Sequence, residues 1–228
     1  MPFSHNKPDH NHNTISHNQL YNRLRLYAVT DRSKTQTYTL EEQVTFAIEG
    51  GITMLQLREK HLSTAEFIKL AETIKVITDK YAIPLIINDN IDVAKAVDAD
   101  GLHIGQDDIA PEYARSAIGT EKILGVSAQT VEQARAAEQA GADYLGVGTI
   151  FPTGSKPDAQ RVSLATLKDI CTTSQIPVVA IGGLDEQTIP LLQGSGIQGV
   201  AVISAIFAKT DIRAAAQNLL KLTDTIID

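Results

Sequence analysis

The sequence predicts an α/β fold in a single domain, a closed (β/α)8 barrel of the TIM-barrel type. Eight short apolar runs begin near residues 24, 53, 84, 101, 122, 144, 177 and 199. Most of these runs are apolar throughout, which is typical of parallel strands whose two faces are both covered. Amphipathic segments separate the runs. One strand with its helix recurs about every 26 residues, as expected for a barrel at the short end of its size range.

The segments between the runs have the spacing of helices. One apolar face is formed by residues 67, 70, 71, 74 and 77, and another by residues 212, 215, 216 and 219. Pro84 and Pro177 open strands, where a missing backbone donor is tolerated. An open doubly wound sheet is the alternative fold, but the sequence lacks its G-x-G-x-x-G signature after the first strand.

Composition predicts a soluble globular protein. Of 228 residues, 43% are hydrophobic and 21% charged, and no apolar run approaches the ~18 residues of a membrane span. The opening residues MPFSHNKPDH lack the basic start and apolar stretch of a secretory signal. A net charge of −7 disfavours nucleic acid as a partner. The single cysteine, Cys171, excludes an internal disulfide and a cysteine-cluster metal site, and it favours a cytoplasmic location.

Residues 1–22 differ in composition from the rest of the chain. They hold four of the six histidines and five asparagines, with few aliphatic side chains. Such a segment cannot bury enough apolar surface to offset its ordering entropy, so we expect a disordered tail over 1–22 and the barrel over 23–228. Metal capture by the tail histidines is the alternative interpretation.

Polar residues follow seven of the eight predicted strands, at the end where barrel enzymes build their sites. They are Gln56–Lys60, Asn88 and Asp89, Gly105–Asp108, Ser127, Thr153–Lys156, Gly182 and Gly183, and Ser204. Arg58 and Lys60 suit a polyanion such as diphosphate, although a solvated strand end paired with Glu59 is the alternative.

Asp89 and Asp108 follow adjacent strands, and two converging carboxylates would hold Mg²⁺ together with water and phosphate oxygens. The alternative is helix capping. In that case Asp89 or Asn90 would cap the helix that begins near residue 91, and Asp107 or Asp108 the one that contains Pro111.

The loop over residues 153–156 offers hydroxyls, a glycine and a lysine, but it lacks the earlier glycine and the residue order of a Walker A loop. We therefore expect a generic oxyanion loop. Gly182, Gly183 and Ser204 lie where barrels often bind phosphate, with a tight turn as the alternative for the glycine pair. His103 is expected to be a packed, hydrogen-bonded core residue. Cys171 is expected to be inert packing on an outer helix.

From Tyr27 to Phe207 the chain resembles the thiamine-phosphate synthase family through the blocks YAVTD, QLREK, IND, ADGLHIGQDD, ILGVSA, GVGTIFPTGSK, PVVAIGG and VAVISAIF. The resemblance implies a (β/α)8-barrel transferase of thiamine biosynthesis. Such an enzyme joins hydroxymethylpyrimidine diphosphate to a thiazole phosphate and releases diphosphate, with magnesium as cofactor. Asn90 departs from the family pattern, in which an acidic residue is frequent at this position.

The resemblance also implies site residues. Contacts to the pyrimidine diphosphate would be made by Gln56, Leu57, Arg58, Glu59, Lys60, Asn88, Ser127 and Lys156. Contacts to the thiazole phosphate would be made by Thr153, Gly154, Ser155, Gly183, Ile203 and Ser204. Asp89 and Asp108 would be the magnesium ligands, and Arg58, Lys60, Ser127 and Lys156 the catalytic residues.

Three rival functions remain to be distinguished. A thiazole tautomerase would not need the complete diphosphate and metal set, and an epimerase or tryptophan-pathway barrel would need a committed acid–base pair. A non-catalytic thiazole-phosphate sensor would be expected to have lost Asp89, Asp108 or Lys156, and the sequence retains all three. The expected partners are small phosphorylated substrates, not nucleic acid or membrane. The sequence does not fix the oligomeric state, and the loop with Lys156 is the expected lid.

Overall fold

Eight parallel strands close into a barrel in the order of the chain, which confirms the predicted fold class. The structure, a computed structural model, describes residues 17–33, 37–154 and 160–227. Each strand begins within two residues of its predicted start. The strands are β1 (Leu26–Val29), β2 (Met54–Leu57), β3 (Leu85–Asn88), β4 (Gly101–Ile104), β5 (Ile123–Ala128), β6 (Tyr144–Val147), β7 (Val178–Ile181) and β8 (Gly199–Val202).

Helices cover the outside of the barrel and begin where the sequence offers caps. Thr39 and Glu42 form a capping box at one helix, and Ser63 and Glu66 form another. None of the helices within the described ranges is long and apolar enough to pass through a bilayer. The helices are α1 (His17–Leu24), α2 (Leu40–Glu49), α3 (Thr64–Lys80), α4 (Ile91–Ala96), α5 (Pro111–Ile118), α6 (Val131–Gln139), α7 (Leu164–Thr173), α8 (Ser204–Phe207) and α9 (Ile212–Ile226).

The pattern of eight strands, each followed by an α-helix, is broken after β7. The chain there forms a single 3₁₀ turn over Ile189–Leu192. Pro190 lies within this turn and removes a backbone donor, and Gly194 and Gly196 follow it with positive φ angles. A longer α-helix is therefore disfavoured at this position.

Alternating strand residues pack into two separate cores, as the side-chain period of a strand requires. Leu26, Ala28 and Leu55 face outward and pack with the helices. Tyr27 and Met54 face inward and pack with other buried side chains in the barrel interior. The inward residues leave the carboxyl ends of the strands open, and the polar residues lie at those ends.

Helix α1 covers the amino-terminal end of the barrel. Leu20 and Leu24 belong to the interior core together with Tyr27 and Met54, and α1 contacts β1 and β8. Residues 17–22 are therefore helical, and the expected boundary between residues 22 and 23 falls inside a helix. The rest of the segment expected to be disordered, residues 1–16, lies outside the described residues.

Candidate active site

A cavity of about 640 Å³ lies at the carboxyl ends of the strands. This volume is in the range of small-molecule sites. Twelve of the residues predicted to form a site line the cavity. They are Gln56, Arg58, Lys60, Asn88, Asp89, Asp108, Ser127, Thr153, Gly154, Gly183, Ile203 and Ser204.

Two predicted contacts are placed elsewhere. The Leu57 side chain is fully buried in the core between sheet and helices, because it alternates with Gln56 and Arg58 along β2. The Glu59 side chain is 8% exposed, lies 3.7 Å from Arg32 Nη1, and lines a separate groove outside the cavity. Neither side chain lines the cavity, and contact of these two residues with the pyrimidine diphosphate stays a prediction. Ser155 and Lys156 lie outside the described residues.

Asp89 and Asp108 are brought together at the cavity wall. The Asp89 residue has a φ of 62°, an uncommon backbone conformation for a residue with a side chain. Burial raises the pKa of the Asp89 carboxyl, and a hydrogen bond with Asp108 raises it further, whereas Lys60 lowers it. Lys60 Nζ forms an ion pair with Asp89, and Asp108 Oδ2 accepts a hydrogen bond from the Gly105 amide at 2.7 Å.

Helix capping does not account for these two carboxylates. Asn90 caps α4, because its Oδ1 accepts a hydrogen bond from the Val93 amide at 3.0 Å. Helix α5 is preceded by Ala110 and has no side-chain cap. Of the two caps considered from the sequence, the Asn90 cap is present and the Asp107 or Asp108 cap is absent.

Asn88 contributes an unpartnered donor to the same wall. The residue is 8% exposed, and its Nδ2 has no hydrogen-bond partner among the described residues. A buried amide nitrogen without a partner is costly in a protein interior. Since Asn88 lines the cavity, a ligand acceptor is the natural partner for this group.

Arg58 is positioned through its own backbone. Its amide donates to the hydroxyl of the fully buried Thr30 at 2.9 Å, and the Thr30 amide donates to the Gln56 carbonyl at 3.0 Å. The end of β2 is thereby fixed to the end of β1. Arg58 and Lys60 both line the cavity, where a polyanion could meet them.

Five side chains form a hydrogen-bonded row beneath the cavity. Gln56 Nε2 donates to Tyr27 Oη at 2.7 Å, and Tyr27 Oη lies 2.8 Å from Tyr144 Oη. His103 Nδ1 lies 2.9 Å from Tyr144 Oη, and His103 Nε2 lies 3.0 Å from Ser127 Oγ. The prediction that His103 is packed and hydrogen-bonded is confirmed.

The loop after β7 is held in a fixed turn. The Gln187 and Thr188 amides donate to Asp185 Oδ1, and Thr188 Oγ1 donates to the Gly183 carbonyl at 2.9 Å. Burial raises the pKa of the Asp185 carboxyl, but its hydrogen bonds from Gln187 and Thr188 and the positive charge of Lys209 lower it overall. Gly183 has a φ of 64°, and a Cβ there would lie 2.6 Å from the carbonyl oxygens of Phe151 and Pro152. Only glycine fits this position without displacement.

The sequence interpretation missed several lining residues. Lys209, in the turn after α8, adds a cation to the cavity that Ser204 also lines. Lys209 could have been found from the sequence because it lies only a few residues after the last strand. Tyr27, Thr149 and Gln129 also line the cavity. Tyr27 is the inward residue of an apolar run, and strand alternation could have placed it facing the interior.

These features define the class of the protein, which is a (β/α)8-barrel enzyme with a charged cavity at the carboxyl ends of its strands. Residues 26–206 match the family model described as thiamine monophosphate synthase. Since this match covers most of the chain, the protein belongs to the thiamine monophosphate synthase family.

Individual relatives agree with the family match. The chain is 53% identical over 194 residues to thiamine-phosphate synthase from Clostridium tetani, which covers 85% of this chain and 93% of the relative. It is 50% identical over 204 residues to thiamine-phosphate synthase 2 from Streptococcus pneumoniae, and this match covers 90% of this chain and 97% of the relative. The solved structure of thiamine phosphate pyrophosphorylase from Pyrococcus furiosus superposes with a TM-score of 0.84 at 38% identity, covering 92% of this chain and 100% of that chain. The family predicted from the sequence, and with it a transferase, is confirmed.

Proposed function

We propose that the protein is a thiamine-phosphate synthase that joins hydroxymethylpyrimidine diphosphate to a thiazole phosphate and releases diphosphate. The observation that carries this proposal is that one cavity brings together two sets of groups in a chain of this family. Arg58, Lys60 and the two aspartates suit a diphosphate. Gly183 and Ser204 follow β7 and β8, where barrels commonly hold a phosphate.

The carboxylate pair fits a magnesium ion. Asp89 and Asp108 supply two oxygen ligands at one wall, and Mg²⁺ in proteins typically takes one or two carboxylates and completes its shell with water and phosphate oxygens. Among the described residues, no group of three or more His, Cys, Asp or Glu side chains is arranged to hold a metal. A site completed by the substrate is therefore the better fit than an all-protein cage.

The chain's own cations would act on the leaving group. Arg58 and Lys60 neutralise the negative charge that builds on the diphosphate as its bond to the pyrimidine methylene breaks. Lys156, expected to assist, lies outside the described residues. When bound, magnesium supplies further charge neutralisation to the same group. Ser127 donates a hydrogen bond to a diphosphate oxygen, and the unpartnered Asn88 amide gives this end of the substrate a second donor.

The proposed reaction is a dissociative substitution. The bond between the methylene carbon and the diphosphate oxygen breaks, and its electron pair leaves with the diphosphate. The electron-rich aminopyrimidine stabilises the resulting carbocation. The thiazole nitrogen then donates its lone pair to the methylene carbon, which gives thiamine phosphate. No protein nucleophile takes part, so the chain contributes positioning and electrostatic stabilisation.

The test is to mix both phosphorylated precursors with the protein and Mg²⁺ and to quantify thiamine phosphate and diphosphate. Equal amounts of the two products are expected, with none when either precursor is omitted or the metal is chelated. Parallel reactions with the carboxylated and the decarboxylated thiazole phosphate define which form is used. Isomerised thiazole without thiamine phosphate would instead identify a tautomerase. Binding without any turnover would identify a sensor.

A further inference from the structure

The hydrogen-bonded row beneath the cavity crosses the whole barrel interior. It runs from Gln56 on β2 through Tyr27 on β1, Tyr144 on β6 and His103 on β4 to Ser127 on β5. Gln56, Tyr27, Tyr144 and His103 are 5%, 1%, 0% and 9% exposed. Although three of these residues border the cavity, their side chains are almost completely buried, so we expect their hydrogens to be matched with acceptors inside the row.

The donor at one end of the row sets its direction. The Gln56 Nε2 group can only donate, so Tyr27 Oη accepts from it. Within the described part of the chain, the acceptor left for the Tyr27 hydrogen is Tyr144 Oη. Burial raises the pKa of both phenols, so each keeps its hydrogen. Tyr144 then donates to His103 Nδ1, which has to be unprotonated.

The opposite direction leaves a buried hydrogen without an acceptor. If His103 Nδ1 carried the proton, Tyr144 would accept from it and donate to Tyr27. The Tyr27 oxygen would then receive two donors, and its own hydrogen would face no acceptor among the described residues. A positively charged His103 ring would leave the same Tyr27 hydrogen without an acceptor, because it is protonated on Nδ1 as well as on Nε2.

Gly125 provides the space that the central hydrogen bond needs. A Cβ at this position would lie 2.3 Å from Tyr144 Oη and 2.5 Å from His103 Nδ1. A side chain at position 125 would occupy the space that the Tyr144–His103 hydrogen bond fills. The row therefore also depends on the absence of a side chain at Gly125, which is not one of its members.

We infer that Gln56, Tyr27, Tyr144 and His103 are positioning residues that fix the Ser127 hydroxyl as a donor toward the cavity. His103 Nε2–H donates to Ser127 Oγ, so the Ser127 hydrogen is directed to an anionic oxygen of the ligand. The identification of that oxygen as a diphosphate oxygen rests on the proposed function. The direction of the hydrogen bonds rests on the protein alone.

Nitrogen-15 NMR of the full-length protein without substrates tests the direction. The His103 signals are assigned by their loss in His103→Asn or, if that variant does not fold, by their shift in Ser127→Ala. The expected result is a neutral ring protonated on Nε2. In Tyr27→Phe the direction is no longer fixed, and a population protonated on Nδ1 is expected. A wild-type ring protonated on Nδ1 would overturn the inference and imply that the Gln56 amide is reversed.

Kinetics test whether the row acts through Ser127. Tyr27→Phe is expected to lower kcat about tenfold in the wild-type background and to have no further effect in Ser127→Ala, as for residues that act as a unit. Tyr81→Phe, which removes a phenol at the opposite end of the barrel, should leave kcat unchanged. An equal loss from Tyr27→Phe in both backgrounds would overturn the role assigned to Ser127. If the wild type makes no thiamine phosphate but His103 is protonated on Nε2, the proposed function fails and the direction of the row stands.

Discussion

Lys60 and Asp89 form an ion pair that joins the end of β2 to the end of β3 at the wall of the cavity. The same Asp89 carboxyl is hydrogen-bonded to Asp108 from the end of β4. One carboxylate thus contacts both a cation and a second carboxylate. A divalent cation and a diphosphate would satisfy this arrangement together, because the metal would bind the carboxylates and the lysine would be left to bind the phosphate.

Replacing either carboxylate should abolish turnover without unfolding the barrel. We expect Asp89→Ala and Asp108→Ala to lower kcat by about a hundredfold or more, because the departing diphosphate loses charge neutralisation. Binding of the thiazole phosphate alone, measured by calorimetry, should be retained. Asp92→Ala on the exposed first turn of α4 is the matched control. Undiminished turnover in both variants would mean that the pair has no role in the reaction.

Asn88→Leu should make the protein more stable and weaken its binding of the pyrimidine diphosphate. Removing a buried amide nitrogen that has no partner among the described residues is expected to raise the free energy of unfolding by about 1 kcal/mol in the absence of ligand. The same change should raise the KM for the pyrimidine diphosphate, because a donor to the substrate is lost. Urea unfolding and steady-state kinetics measure the two effects. A less stable protein with unchanged KM would show that the amide serves packing and not the ligand.

Gly183→Ala and Gly194→Ala form a matched pair. Both glycines have positive φ angles, 64° and 72°, so each variant should lose about 1 kcal/mol of unfolding free energy from backbone strain. Only at Gly183 would the new Cβ meet backbone, whereas at Gly194 nothing lies within 4 Å. We therefore expect Gly183→Ala alone to lose further stability and to bind the thiazole phosphate more weakly. Similar binding by the two variants would argue against phosphate contact at Gly183.

Two truncations test the role of α1. Removing residues 1–22 deletes Leu20, which is 6% exposed in the barrel interior. This truncation should lower the free energy of unfolding by about 2–3 kcal/mol. Removing only residues 1–16 should change neither stability nor turnover. A metal-dependent loss of activity in the shorter truncation would instead support metal capture by the histidines.

Cys171 should be unreactive in the folded protein. Burial raises the pKa of its thiol from an ordinary value of 9.0 to about 12. Little thiolate is therefore present at pH 8, and iodoacetamide should label the native protein far more slowly than the urea-unfolded protein. Because the folded pKa is the higher one, the stability that this thiol contributes is complete below pH 9 and is lost as the pH rises toward 12. Rapid labelling of the native protein at pH 8 would contradict the raised pKa.

The sequence predicted strands and rim residues well because both follow from local pattern. Runs of apolar residues fixed the eight strands, and the polar groups at their ends converge through the topology. The burial of Leu57 was not foreseen because a whole segment was carried over from the family, although strand alternation turns Leu57 away from Gln56 and Arg58. Helix α1 was missed because its composition is polar. Only burial of Leu20 and Leu24 against the barrel favours it.

The hydrogen-bonded row could not be predicted from the sequence, because its contacts depend on the register of the strands in three dimensions. Tyr144 is 41 residues from His103 and 117 from Tyr27 along the chain. Their contacts depend on how β4, β5, β6 and β1 align around the barrel, and no local pattern encodes that alignment. The prediction of a hydrogen-bonded His103 was therefore confirmed, whereas its partners could not be named in advance.

The helix across the amino-terminal end of the barrel leaves the other end for molecules to enter and leave. With Leu20 and Leu24 buried against Met54 there, the described part of the chain leaves the interior accessible only from the carboxyl ends of the strands. Ligands held near Gln56 and near Gly183 would share the cavity at that end and enter from the same side. A molecule that occupied both positions would therefore have to leave from that side before either position could be filled again.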